Sequence, residues 1–135
     1  MTQTHQGLFL RFCPRLFLAV AALLASSAHA AEVTFSTKKS IAGTFDGAIT
    51  VHAADVDGDG DTDVLGSSRD GDDITWWENT AGDGSVWTEH VVDGTFDYAR
   101  SVYAADVDGD GDMDVLGASV NAHDITWWEN TAGNG

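Results

Sequence analysis

The chain repeats itself. Sliding it by 51 residues lays Gly43–Gly84 on Gly94–Gly135 without a gap, and 31 of those 42 positions are identical. A period of this length means that one supersecondary unit recurs, each copy leaving apolar surface for its neighbour to cover. The shared blocks are GTFD, AADVDGDGD, DVLG and DITWWENTAG, and the differences gather at Ser67–Asp72, equivalent to Ala118–His123. Variation concentrated in one short stretch is the mark of a surface loop.

Each period holds four short apolar or β-branched runs bounded by Gly, Asp or Asn, the spacing of antiparallel strands rather than helices. The pattern predicts strands over 35–41, 49–54, 63–67 and 73–79, then over 86–92, 100–105, 114–119 and 124–130. In DITWWEN alternate side chains leave opposite faces, so Ile74 and Trp76 point one way and Trp77 the other. A small sheet with a tryptophan on both faces needs cover on both sides, as a β-propeller blade does. An ordinary two-sheet sandwich with one exposed tryptophan per repeat is the alternative. The expected fold is therefore all-β, two four-stranded blades that leave a propeller incomplete, since closure takes roughly four to eight. Residues 31–84 make the first unit and 85–135 the second, each opening on a strand, FSTKKSI and VWTEHVV. In that phase the first strand of one copy would complete a blade of another, covering an open edge. Three copies would then make a homotrimeric six-bladed ring; the chain as a fragment of a longer propeller is the competing expectation.

The first thirty residues read as a signal peptide. Arg11 and Arg15 form a basic start, Leu16–Leu24 an apolar run and Ala28-His29-Ala30 a small-x-small cleavage site. That run is about half of the roughly 20 residues a membrane span needs. Export to the periplasm, cell surface or medium is expected. The single cysteine, Cys13, lies before the cleavage site, so the mature chain has no disulfide to form. Beyond residue 30, four bases (Lys38, Lys39, Arg69, Arg100) face 22 acids, a net charge of −18. Such a charge disfavours nucleic acid and anionic membrane surfaces, and it repels itself in a folded chain unless cations neutralise it.

The acids are concentrated where cations would be most useful. DVDGDGDTD from Asp55 and DVDGDGDMD from Asp106 each set five aspartates within nine residues. Calcium takes about six to eight hard oxygen ligands, which a loop of closely spaced acids can curl around one point. The expected side-chain ligands are Asp55, Asp57, Asp59 and Asp63, with the carbonyl of Asp61, and Gly60 making the turn. The second set is Asp106, Asp108, Asp110 and Asp114, with the carbonyl of Asp112 and the turn at Gly111. An EF-hand would place a glutamate at loop position 12 and continue into a helix. Here that position is Gly66 or Gly117, followed by strand formers. Nine-residue RTX repeats are excluded by the longer period, and magnesium suits so crowded a cage poorly. A plain solvated Asp-Gly turn is the bland alternative.

With these residues in view, AADVDGDGDTDVLGSS and AADVDGDGDMDVLGAS, each followed by DITWWENT, resemble the FG-GAP/VCBS repeat family. That family furnishes the calcium-binding propeller repeats of integrin α-subunits and of many exported bacterial proteins. The resemblance spans nearly all of the chain after residue 30, and its D-x-D-x-D-G-x-x-D motif matches both loops. It implies a propeller fold, calcium as a structural cofactor on the aspartates named above, and function on the propeller faces or in other domains.

Catalytic constellations are sparse. His52, His90 and His123 align with Tyr103, Lys39 and Asp72, so no histidine belongs to the shared design. Zinc lacks a cysteine or a repeated histidine pair. Ser67, Ser68 and Ser119 stand in no nucleophile motif, and Glu78 and Glu129 sit at strand ends. The expected function is a non-catalytic, exported, calcium-binding module for protein or carbohydrate binding or adhesion. A purely structural unit of a larger secreted protein or enzyme is the alternative.

Overall fold

The structure, a computed structural model, describes residues 32–135. The expected signal peptide lies outside the described residues. Residues 37–135 form one compact unit, built only of strands and turns. β1 (Ala48–Ala54), β2 (Asp63–Ser68), β3 (Asp73–Glu78) and β4 (Thr88–Asp93) make an antiparallel four-stranded sheet in sequence order. β5 (Ala99–Ala105), β6 (Asp114–Ser119) and β7 (Asp124–Trp128) make a second, three-stranded one. Among the described residues no helix is long and apolar enough to cross a membrane.

Two departures from the expected pair of four-stranded blades have one cause. The second sheet has three strands, and none of residues 32–41 enters a strand, so FSTKKSI does not become the expected first one. A strand of mixed polarity such as this is stable only against an open sheet edge, because its side chains alone bury little. The edge of the first sheet beside β3 is already taken. VWTEHVV, the opening run of the second sequence unit, forms β4 and pairs there, Trp76 with His90 and Trp77 with Glu89. Sequence repeat and sheet are therefore out of phase by one strand.

The registers repeat faithfully. Leu65 pairs with Trp76 and Val64 with Trp77, and Leu116 pairs with Trp127 and Val115 with Trp128. Both hairpins carry the same bulge near the start of their first strand, between Ala48 and Thr50 and between Ala99 and Ser101. Gly66 and Gly117 explain how a tryptophan lies flat on the strand beside it. A Cβ on Gly66 would stand 2.9 Å from both Phe45 Cε1 and Trp77 Cζ3, and one on Gly117 would stand 2.8 Å from Trp128 Cζ3. The missing side chain lets Phe45 meet Trp77 edge-on at 4.9 Å, and Phe96 meet Trp128 likewise at 5.0 Å.

The core forms where one sheet covers the other. Leu65, Ile74 and Trp76, on one face of the first sheet, pack with Phe96, Val102, Ala104 and Val115 on the opposite face of the second. β5 packs against β1 and β2. Burial of this kind, worth about 25 cal/mol per Å² of apolar surface, is the main stabilising contribution in a unit this small.

Candidate metal centres

Each aspartate loop bridges the first two strands of a sheet, Asp55–Thr62 between β1 and β2 and Asp106–Met113 between β5 and β6. Antiparallel strands end side by side, so the first and last aspartates of the loop are held close by the β-ladder, Ala54 opposite Asp63 and Ala105 opposite Asp114. Gly60 and Gly111 adopt φ of 97° and 103°, which a residue with a Cβ resists, and so turn the chain between them.

The closing aspartate is a structural pin. Asp63 is buried and accepts the Val56 N–H at 2.9 Å on one oxygen and the Asn79 N–H at 2.8 Å on the other. Asp114 repeats this with Val107 at 2.9 Å and Asn130 at 2.8 Å. The bond from Asn130, the largest influence, holds the Asp114 carboxyl below the usual carboxylate range, with Val107 and the Trp127 indole aiding it and burial opposing. These pins tie each loop to the end of the third strand of its sheet. Sequence spacing marked them only as ligands, although the repeated Asn79 and Asn130 signalled a second partner.

Around each pin the acids converge. Asp55, Asp57 and Asp63 each offer a carboxylate oxygen within 4.8 Å of the others, as do Asp106, Asp108 and Asp114. Three carboxylates this close repel one another. Burial, the largest influence, pushes the Asp57 carboxyl up, and the charges of Asp63, Asp59 and Glu78 add to it, while the Asp59 N–H opposes. Asp55 Oδ1 is buried without a hydrogen-bond partner. An orphaned buried carboxylate oxygen beside two other acids fits a hard divalent cation, which would supply the missing partner.

The other aspartates of each loop also make local contacts. Asp59 Oδ1 accepts the Asp61 N–H at 2.8 Å, and Asp110 Oδ1 accepts that of Asp112 at 3.0 Å, both as short local turns. The Asp61 and Asp112 side chains lie against Gly82 and Gly133, where a Cβ at Gly133 would come within 2.7 Å of Asp112 Oδ2. Other polar residues have structural partners. Ser68 and Ser119 donate to the Asp46 and Asp97 carbonyls, and His90 stacks on Trp76 at 4.4 Å while its Nε2 meets Glu78 at 3.0 Å. His52 lies against Tyr103 at 4.2 Å.

No curated protein and no solved structure matches the chain. A family model does, over residues 55–117, a window that opens on the first aspartate loop, passes through β2 to β5 and includes the whole of the second loop. Both acid loops fall inside that window, and over it the chain is similar to the FG-GAP-like repeat.

Proposed function

We propose that the chain is an exported, calcium-stabilised β-propeller-type repeat module that binds a protein or carbohydrate ligand and performs no catalysis. The observation that carries the calcium reading is the pair of equivalent three-aspartate clusters, one of them holding the unpartnered Asp55 Oδ1. Calcium bound there would cancel repulsion that the folded chain otherwise retains, and would complete coordination with oxygens the loop already crowds together. Asp59, Asp61, Asp110 and Asp112 then serve as further oxygen donors or as the local turns that shape the loop. Export is supported by the signal-like first thirty residues, which place the loops where calcium is plentiful.

For ligand binding, the supporting feature is a recess of about 380 Å³ between the two sheets, lined by Trp76, His90, Trp128, Glu129 and Asn130. Aromatic faces beside carboxylate and amide groups suit a sugar ring or a peptide side chain. A glycan array probed with the full chain in calcium reads this directly, and binding lost in the Trp128→Ala variant would locate it. The calcium reading is tested by melting the chain in millimolar calcium and in chelator. Each site held at a hundred times its dissociation constant adds about 2.7 kcal/mol, so the transition should move up by several degrees. Identical curves would overturn it.

A further inference from the structure

The two sheets meet through different faces, so the contact uses up one face of each and leaves apolar side chains exposed on the other. On the first sheet Ile74 and Trp76 are 0% and 3% exposed; their counterparts on the second, Ile125 and Trp127, are 82% and 41% exposed. The opposite face shows the reverse. Val102 is 7% exposed where it meets the first sheet, and its counterpart Val51 is 73% exposed.

The exposed apolar residues of the outer faces repeat covered ones. Ile125 and Trp127 repeat Ile74 and Trp76, and Val51 and Ala53 repeat Val102 and Ala104. Registers match as well, pair for pair, in the β1–β2 and β5–β6 hairpins. The molecule thus displays, on its two outer faces, the central apolar residues of both halves of the interface that its interior already makes, although the second sheet lacks a counterpart of β4. We infer that a second copy of the chain docks head to tail, its Val51 face on the Ile125–Trp127 face of the first, in the geometry by which the second sheet covers the first. The contact is heterologous, so each docked copy presents the same free faces again, and growth stops only by ring closure. Net charge of one sign opposes the approach of two copies, and calcium on the loops lowers it. The inference rests on the face equivalence; the calcium reading affects only its strength.

The experiment measures the mass of the full chain in calcium by light scattering at tens of micromolar, for wild type, Ile125→Glu and Val51→Glu. Both positions are exposed, so the variants should keep the wild-type circular dichroism; if either loses it, Ile125→Ser and Val51→Ser replace them. Wild type should assemble, and each variant alone should be monomeric. Mixed in equal amounts, the variants should form a one-to-one dimer, because each retains the face the other has lost. A monomeric wild type would overturn the inference and point to a further repeat of a longer protein as the cover. So would assembly of either variant at the wild-type mass, or a mixture that stays monomeric. Melting in calcium and chelator is read on the monomeric variants, so a failed calcium shift and a failed docking are separate results.

Discussion

Asp55–Asp63 and Asp106–Asp114 differ at one residue, Thr62 against Met113, yet they occupy different surroundings. The first loop is backed by the second sheet. Val56 is 2% exposed, and its carbonyl accepts a bond from Asn130 Nδ2 at 3.2 Å. Val107, its counterpart, is 44% exposed. The same contrast reaches the carboxylates, for Asp55 and Asp57 are half-buried and Asp106 and Asp108 are exposed. Even the hydrogen bonds respond. Asp106 Oδ1 accepts the Gly109 N–H at 2.7 Å, whereas Asp55 Oδ1 has no partner. Local sequence therefore sets the shape of the loop, and the neighbouring sheet sets how desolvated its charges are.

The sharpest way to break this comparison is to delete the same side chain from both repeats. Ile74→Ala opens a cavity between the sheets and should cost about 2–5 kcal/mol. Ile125→Ala, studied on the monomeric Val51→Glu background, should stay within about 0.5 kcal/mol. Equal losses in urea denaturation would mean that the two faces are not distinguished by cover.

Next in size is the closing aspartate. Asp63→Ala, measured in chelator so that no ion contributes, leaves the Val56 and Asn79 N–H groups without acceptors, and should cost about 3 kcal/mol. Asp114→Ala should cost less, because its Val107 and Asn130 partners are only partly buried and water can replace the lost carboxylate. A larger loss at Asp114 would reverse the ranking.

Calcium should also distinguish the loops. The first is held in shape by its neighbour and gains most from relief of repulsion, so it should fill before the second in a calorimetric titration. Asp57→Asn should remove the tighter step and Asp108→Asn the weaker one. A single class of sites in wild type would show that backing by the second sheet does not matter to the ion.

The smallest effect concerns acid. The Asp114 carboxyl titrates below the usual range in the folded chain, so it contributes stability that is present above the unfolded carboxyl value of about 3.9 and is lost as pH falls through the folded value. In chelator, Asp114→Asn should flatten the acid limb of the stability profile. An unchanged limb would assign acid sensitivity to other carboxylates.

Much of this architecture was legible in the residues. The period found the two sheets, alternation put Trp76 and Trp77 on opposite faces, and Asp-Gly spacing located both loops. Where the reading departed from the structure, it lacked information about direction or partners. FSTKKSI has the pattern of VWTEHVV, and nothing in that pattern says which of the two takes the edge beside β3, which VWTEHVV holds. Spacing could not show that the Asp59 carboxylate also accepts the Asp61 N–H and so shapes the turn. Gly66 and Gly117 stood in plain view in DVLG, and their use became evident only when Phe45 and Trp77 were found within 3 Å of where a side chain would be. Nothing in one copy of the repeat could foretell that Val56 would be buried and Val107 not.

The offset between repeat and sheet bears on how such a chain is made and enlarged. β1, β2 and β3 emerge from the ribosome with a raw edge beside β3, and that edge is sealed only once 88–93, the opening strand of the following unit, has been synthesised. Each duplicated unit would arrive carrying the seal for the one before it. A gene that grew or shrank by whole 51-residue steps would thus always seal the third-strand edge of its interior sheets, and an open edge on that side would be confined to the most recently added copy.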